Sequence, residues 1–93
     1  MARERFKSVW DALAHTPVEA ANMKLRSELM TRIREQVASW ETTQGLAARR
    51  LGITQPRLND LLRGKINKFS LDTLLVLATR AGLKIKIEIR AAA

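Results

Sequence analysis

The three segments that follow Trp40 each begin and end with residues that mark helix boundaries, and this pattern restricts the fold more than any other feature. A Thr or Ser hydroxyl can accept a hydrogen bond from the unpaired backbone N–H groups of a first helical turn, and glycine favours the left-handed conformation at a helix end. The candidate caps are Thr43, Thr54 and Ser70, and the candidate end residues are Gly52, Gly64 and Gly82. Three short helices are therefore predicted, at residues 44–51, 55–63 and 71–81.

The first two of these helices are joined by only LGIT, residues 51–54, which is too short for an antiparallel hairpin and favours a steep crossing. Ala48 is small where the helices should meet, and Gly52 provides the turn. Apolar residues stand at the spacing that buries the inner faces of both helices: Ala47, Leu51, Ile53, Leu58 and Leu61. This combination is typical of the helix-turn-helix motif.

Two stretches, TQGLAARRLGITQPRLNDLLRGK and FSLDTLLVLATRAGL, resemble the lambda-repressor-like, Xre-type helix-turn-helix proteins. The resemblance covers roughly residues 25–82, and with residues 1–24 and 83–90 the arrangement is similar to HigA-type antitoxins. It implies a mostly α, lambda-repressor-like helical domain at 25–82, an N-terminal helical extension at 1–24 and a C-terminal dimerisation strand at 83–90. It also implies a transcriptional repressor that controls its own operon and neutralises a RelE/HigB-like ribonuclease toxin.

One residue departs from the family pattern. Leu46 stands where the family usually has a glutamate that reaches back to the helix cap. The loss of this capping box costs about 0.5–1 kcal/mol. Leu46 either packs on the N-terminal extension or contacts a partner, and the sequence does not distinguish the two.

The polar face of helix 55–63 is the predicted contact with DNA bases. A recognition helix inserts its N-terminal part into the major groove, where Gln and Asn pair with adenine and Arg with guanine. Proline suits a first helical turn and offers an apolar face to a thymine methyl group. Asp60 would repel phosphate, so it either accepts a hydrogen bond from a cytosine amino group or weakens binding to DNA sites of the wrong sequence. The predicted base contacts are Gln55, Pro56, Arg57, Asn59 and Asp60, of which Gln55, Pro56 and Asn59 match the family's base-contact positions.

We name residues 63–69, RGKINKF, the phosphate loop, because they follow the recognition helix with several side-chain donors around a glycine. The first turn of helix 71–81 lies behind them and offers backbone N–H groups. By the resemblance, Gln44 supports a phosphate contact from the neighbouring helix. The predicted phosphate contacts are Gln44, Thr54, Arg63, Lys65, Asn67 and Lys68.

The segment LKIKIEIR, residues 83–90, alternates apolar and charged residues as a half-buried β-strand does. No other segment of the chain could pair with it, and an unpaired apolar strand invites aggregation. Antiparallel pairing with a second copy would make a homodimer that binds a palindromic operator, and Lys86–Glu88 pairs across the strands would help to fix the register. The alternative is an edge offered to the sheet of a toxin. The predicted dimer-strand residues are Leu83, Ile85, Ile87 and Ile89.

The N-terminal part of the chain predicts two further helices. Phe6, Val9, Trp10 and Leu13 have helical spacing, and Thr16-Pro17 starts a second helix that runs to about Trp40. Its apolar stripe comprises Leu25, Leu29, Ile33 and Val37, widened by Met23 and Met30. Whether this segment is one helix or bends near residues 24–27 stays open.

The charge of the chain favours a nucleic-acid partner. The net charge is +8, and residues 41–68 alone hold +4. The sequence has no cysteine, no set of residues typical of a catalytic centre and no long apolar span. We therefore expect no enzyme activity, cofactor, metal site or membrane segment. We also expect the protein to be cytoplasmic. The alternative function is a protein-interaction module of the same fold that does not bind DNA.

Overall fold

The computed structural model describes residues 16–91. This part of the chain is mostly helical, with four α-helices and one 3-10 turn: α1 Pro17–Ser39, α2 Gln44–Leu51, α3 Gln55–Leu62, the 3-10 turn Ile66–Lys68 and α4 Leu71–Arg80. The helix predicted at residues 6–13 lies outside the described residues. Within residues 16–91, no helix is both long and apolar enough to cross a membrane.

Helix α1 is a single continuous helix, which answers the question that the sequence left open. Its first turn is capped by Thr16, whose hydroxyl accepts from the Glu19 N–H at 3.1 Å, and Pro17 occupies the first helical position. Its buried residues are Met30, Ile33 and Val37. Leu25, predicted to share their stripe, is 49% exposed, because the other helices pack on the C-terminal half of α1.

The three predicted caps are confirmed. The side chains of Thr43, Thr54 and Ser70 accept hydrogen bonds from backbone N–H groups three residues further on, at 3.2, 3.2 and 3.1 Å. Each bond pairs one N–H that the helix itself leaves without a partner. The positions at which α2, α3 and α4 begin are therefore those that local sequence dictates.

Helices α2, α3 and α4 end in the same Schellman motif. In α3 the N–H of Gly64 donates to Leu61 O and that of Lys65 to Asp60 O, both at 3.1 Å. Gly64 has a φ of 73°, a left-handed conformation that is strained for a residue with a side chain. Helix α3 ends at Leu62 and α4 at Arg80, one residue earlier than predicted, because Arg63 and Ala81 serve as C-caps.

The core lies where α1 packs along α4 and where α2 crosses α3. Two side chains connect the helix ends across it. Arg80 donates to Leu51 O at 3.1 Å, and Gln36 donates to Ala81 O at 3.1 Å. The buried apolar residues are Met30, Ile33, Val37, Ala47, Ala48, Leu51, Leu58, Leu61, Phe69, Leu74, Leu77, Ala78 and Ala81.

The predicted C-terminal strand is not confirmed. Residues 83–91 have no regular secondary structure, and no β-strand is present anywhere in residues 16–91. A strand needs the backbone groups of a neighbour, and the described part of a single chain provides none. Leu83 packs against the core, but Ile85, Ile87 and Ile89 are 38%, 74% and 89% exposed.

Candidate nucleic-acid interface

Helix α3 presents its polar side to solvent and its apolar side to the core, as the sequence predicts. Leu58 and Leu61 are fully buried, whereas Gln55, Pro56 and Asn59 are exposed. Leu62 is only half-buried, at the edge of the core. The side of α3 that could enter a groove of DNA is therefore held in place by packing on the opposite side.

The side chain of Gln55 lies against the beginning of α2. A Cβ atom built on Gly45 would be 3.2 Å from Gln55 Nε2, which is closer than most such contacts. Any side chain at residue 45 would therefore push the Gln55 amide aside. This contact explains why a residue without a side chain stands at position 45, which the sequence alone does not show.

Arg57 is held against the phosphate loop. Its guanidinium carbon lies 4.0 Å from the centroid of the Phe69 ring, and Nη1 donates to Lys68 O at 2.7 Å. The stack on an aromatic face and the hydrogen bond both favour this position of the side chain. Arg57 thus stabilises the loop in this structure, and its contact with guanine stays a prediction.

Arg26, which the sequence does not mark as a site residue, is a second arginine that binds the phosphate loop. Its Nη1 donates to Ile66 O at 3.2 Å and to Phe69 O at 3.4 Å, while Nε donates to Asn22 at 2.8 Å. Two carbonyl groups of the loop are thereby tied to α1. No local pattern marks this role, because the partners lie 40 or more residues further along the chain.

Asp60 binds two of the predicted phosphate-contact lysines. Its two carboxylate oxygens lie 3.5 Å from Lys65 Nζ and 3.6 Å from Lys68 Nζ. The remaining predicted phosphate contacts, Gln44, Thr54, Arg63 and Asn67, are exposed. The recognition helix and the phosphate loop are thus connected by ion pairs as well as by the Schellman motif.

No group of three or more potential metal-ligating residues occurs within residues 16–91. The groove lined by Thr31, Arg34, Glu35, Ala38 and Leu62 is open to solvent. Within the described part of the chain, the clustering of polar and basic groups around α3 and the phosphate loop is the feature that indicates a binding site.

Two short helices that cross at a glycine turn, the second with a polar face exposed, define a helix-turn-helix protein. The chain matches a family described as helix-turn-helix domain over residues 14–90, and it belongs to that family. No curated protein shows a significant match to the chain. The family indicates a DNA-binding regulator, whereas the finer resemblance to Xre-type proteins and HigA-type antitoxins is not confirmed by it.

Proposed function

We propose that the protein is a sequence-specific repressor that binds double-stranded DNA through α3 and the phosphate loop. The observation that supports this most strongly is the arrangement of the loop. Arg26 and Arg57 bind three of its carbonyl groups, so Lys65 and Lys68 extend from a fixed backbone beside the exposed face of α3. Fixed cationic donors next to a polar helix face suit a DNA backbone beside a major groove.

In this proposal, α3 supplies specificity and the loop supplies general affinity. Replacing Asn59 by alanine should cost about 1–3 kcal/mol on the cognate site and relax specificity at one base pair, because an amide that pairs with adenine is lost. Replacing Lys65 by alanine should weaken cognate and scrambled duplexes alike and reduce the salt slope of log K by about one unit. Titrations at several salt concentrations on both duplexes measure the two effects.

A Lys24→Ala variant is the matched control, since it removes one exposed lysine from α1 and not from the loop. It should leave the salt slope closer to that of the wild type than Lys65→Ala does. If Asn59→Ala weakens cognate and scrambled duplexes equally, α3 does not contact bases as proposed. If the wild type binds no duplex at all, the fold serves a protein partner instead.

We further propose that the repressor is a homodimer joined through residues 83–90, acting in the cytoplasm on a palindromic operator. Ile85, Ile87 and Ile89 are exposed and alternate with charged residues, so a second copy could bury one face of a paired strand while the other stays in water. Two-fold symmetry would set the two recognition helices about 34–36 Å apart, one turn of DNA.

The antitoxin role is the most specific part of the proposal, and the resemblance to HigA-type antitoxins supports it. Helix α1 also offers an apolar surface that the proposed DNA contact does not use. Val18 and Leu25 lie seven residues apart, on one side of the helix, and are 76% and 49% exposed. A RelE/HigB-like toxin is the proposed partner of this surface.

Replacing Val18 and Leu25 together by aspartate should abolish toxin neutralisation, because the charges would be desolvated in an apolar contact. Operator binding should change little. The measurement is rescue of cell growth when the variant is produced together with a RelE/HigB-like toxin that the wild type neutralises. Aspartate at Thr31, an exposed residue further along α1, is the control. Rescue by the double variant as complete as by the wild type would exclude this surface.

A further inference from the structure

The Asp60 carboxylate lies between two lysines that the proposed function assigns to DNA phosphate, and a simple DNA-binding surface has no need of it. An acidic side chain on a recognition helix repels the phosphate backbone at short range. The side chain of Asp60 is only 21% exposed, while those of Lys65 and Lys68 are 41% and 56% exposed. Asp60 is therefore the least exposed of the three charged side chains, and both lysines remain accessible to solvent.

The backbone brings these three residues together. In the Schellman motif of α3, Lys65 is the residue whose N–H returns to Asp60 O. The equivalent residues after α2 and α4 are Ile53 and Leu83, which are apolar and pack against the core. At the end of α3 a lysine replaces the apolar residue, and its ammonium binds the carboxylate of the same motif.

Lys68 is brought to the other carboxylate oxygen by the 3-10 turn. Its N–H donates to Lys65 O at 3.0 Å, so the two lysine backbones are fixed relative to each other. Asp60 offsets one of the two positive charges and gives both ammonium groups a preferred position. Each ammonium has three donors and is paired with Asp60 by charge at 3.5 to 3.6 Å, so donors remain for an anion outside.

From this geometry, and on the basis of the proposed function, we propose that Asp60 is a specificity-determining residue that competes with backbone phosphate for Lys65 and Lys68. On a scrambled duplex, phosphate contacts provide essentially all of the affinity, so the competing carboxylate weakens that binding directly. On the cognate duplex, the same carboxylate also keeps the lysines in the register that base contacts require. Its net effect is to raise the ratio of cognate to scrambled affinity.

The test is an Asp60→Asn variant, which keeps the shape of the side chain and removes its charge. Affinity for a scrambled duplex should rise about 3- to 10-fold at low salt, since the carboxylate no longer competes with phosphate for the two ammonium groups. The salt slope should steepen by about one unit, and the cognate affinity should rise by a smaller factor. Asp60→Ser is the second variant in case the asparagine destabilises α3, with thermal unfolding measured for both.

Glu28→Gln is the matched control, because it makes the same change in net charge on an exposed residue of α1 without an ion pair in the described residues. It should have a smaller effect on the scrambled duplex. In a Lys65→Ala/Lys68→Ala background, Asp60→Asn should have no more effect than this control.

Two results would overturn the proposal while the wild type still binds its operator. One is a lower affinity for the cognate duplex together with lost discrimination at a single base pair, which would make Asp60 a base contact. The other is a scrambled-duplex affinity that stays equal or falls in both Asp60 variants, which would make the ion pairs purely structural. Failure of the wild type to bind any duplex would instead reject the proposed function itself.

Discussion

An Ile87→Asp variant should be a monomer and should bind a palindromic operator about 10²–10⁴-fold more weakly than the wild type, because the second half-site no longer benefits from linkage to the first. Ile87 is 74% exposed in the single chain, so the substitution costs little within one protomer. In a paired strand the aspartate would lie in the apolar face between two copies, where an unpaired charge is strongly disfavoured.

Sedimentation measures the association, and titration of a full palindrome and of a single half-site measures the binding. The half-site affinity should stay near that of the wild type. Ile87→Val preserves the branched apolar side chain and should remain dimeric. Ala91→Asp adds the same charge to an exposed residue four positions further on. It separates the effect of added negative charge on DNA binding from the effect of losing the dimer. A dimeric Ile87→Asp protein would show that residues 83–90 do not join the chains.

The charged residues of the segment are not sufficient to set the register of such a dimer. Glu88 Oε2 lies 3.1 Å from Arg90 Nη2 within the same chain, and both side chains are more than two-thirds exposed. Exposed pairs of this kind contribute at most about 1 kcal/mol. Glu88 would have to exchange Arg90 for Lys86 of a second copy, so we expect the apolar face to determine the pairing.

The helix-turn-helix could be predicted from the sequence because its determinants are local. A hydroxyl cap acts on an N–H three residues away, and a terminal glycine acts within its own turn. Thr54 and Gly64 therefore determine where α3 begins and ends almost independently of the remaining fold. The solvent-facing side of α3 follows from the positions of Leu58 and Leu61, both fully buried.

The connections of the site could not be predicted, because they join residues far apart in the chain. Arg26 contacts carbonyl groups, which any residue possesses, so no side-chain pattern identifies its partners. The place of Arg57 on the helix predicts a base contact, while its contacts in the structure depend on the course of the loop. The apolar stripe predicts that Leu25 is buried, which is wrong, since periodicity indicates the face of a helix and not the length over which a neighbour covers it.

Phe69 joins the core to the phosphate loop, and its replacement by alanine should lower the free energy of unfolding by about 3–5 kcal/mol. The ring is 1% exposed and is among the largest fully buried side chains in the described part of the chain. Its loss would leave a cavity and remove the surface on which the Arg57 guanidinium lies. Since small domains are stable by about 5–15 kcal/mol, the variant should lose a large share of its stability.

Denaturant unfolding measures this loss, and Val76→Ala provides the control at an exposed apolar residue of α4. Phe69→Leu separates packing from stacking, because leucine fills much of the space but has no aromatic face. It should cost less than alanine, and Arg57→Met should then be less destabilising in the leucine background than in the wild type, by about 0.5–2 kcal/mol. Equal costs of Arg57→Met in both backgrounds would show that the stack does not stabilise the loop. A loss below 1 kcal/mol for Phe69→Ala would show that the loop is not anchored through the core.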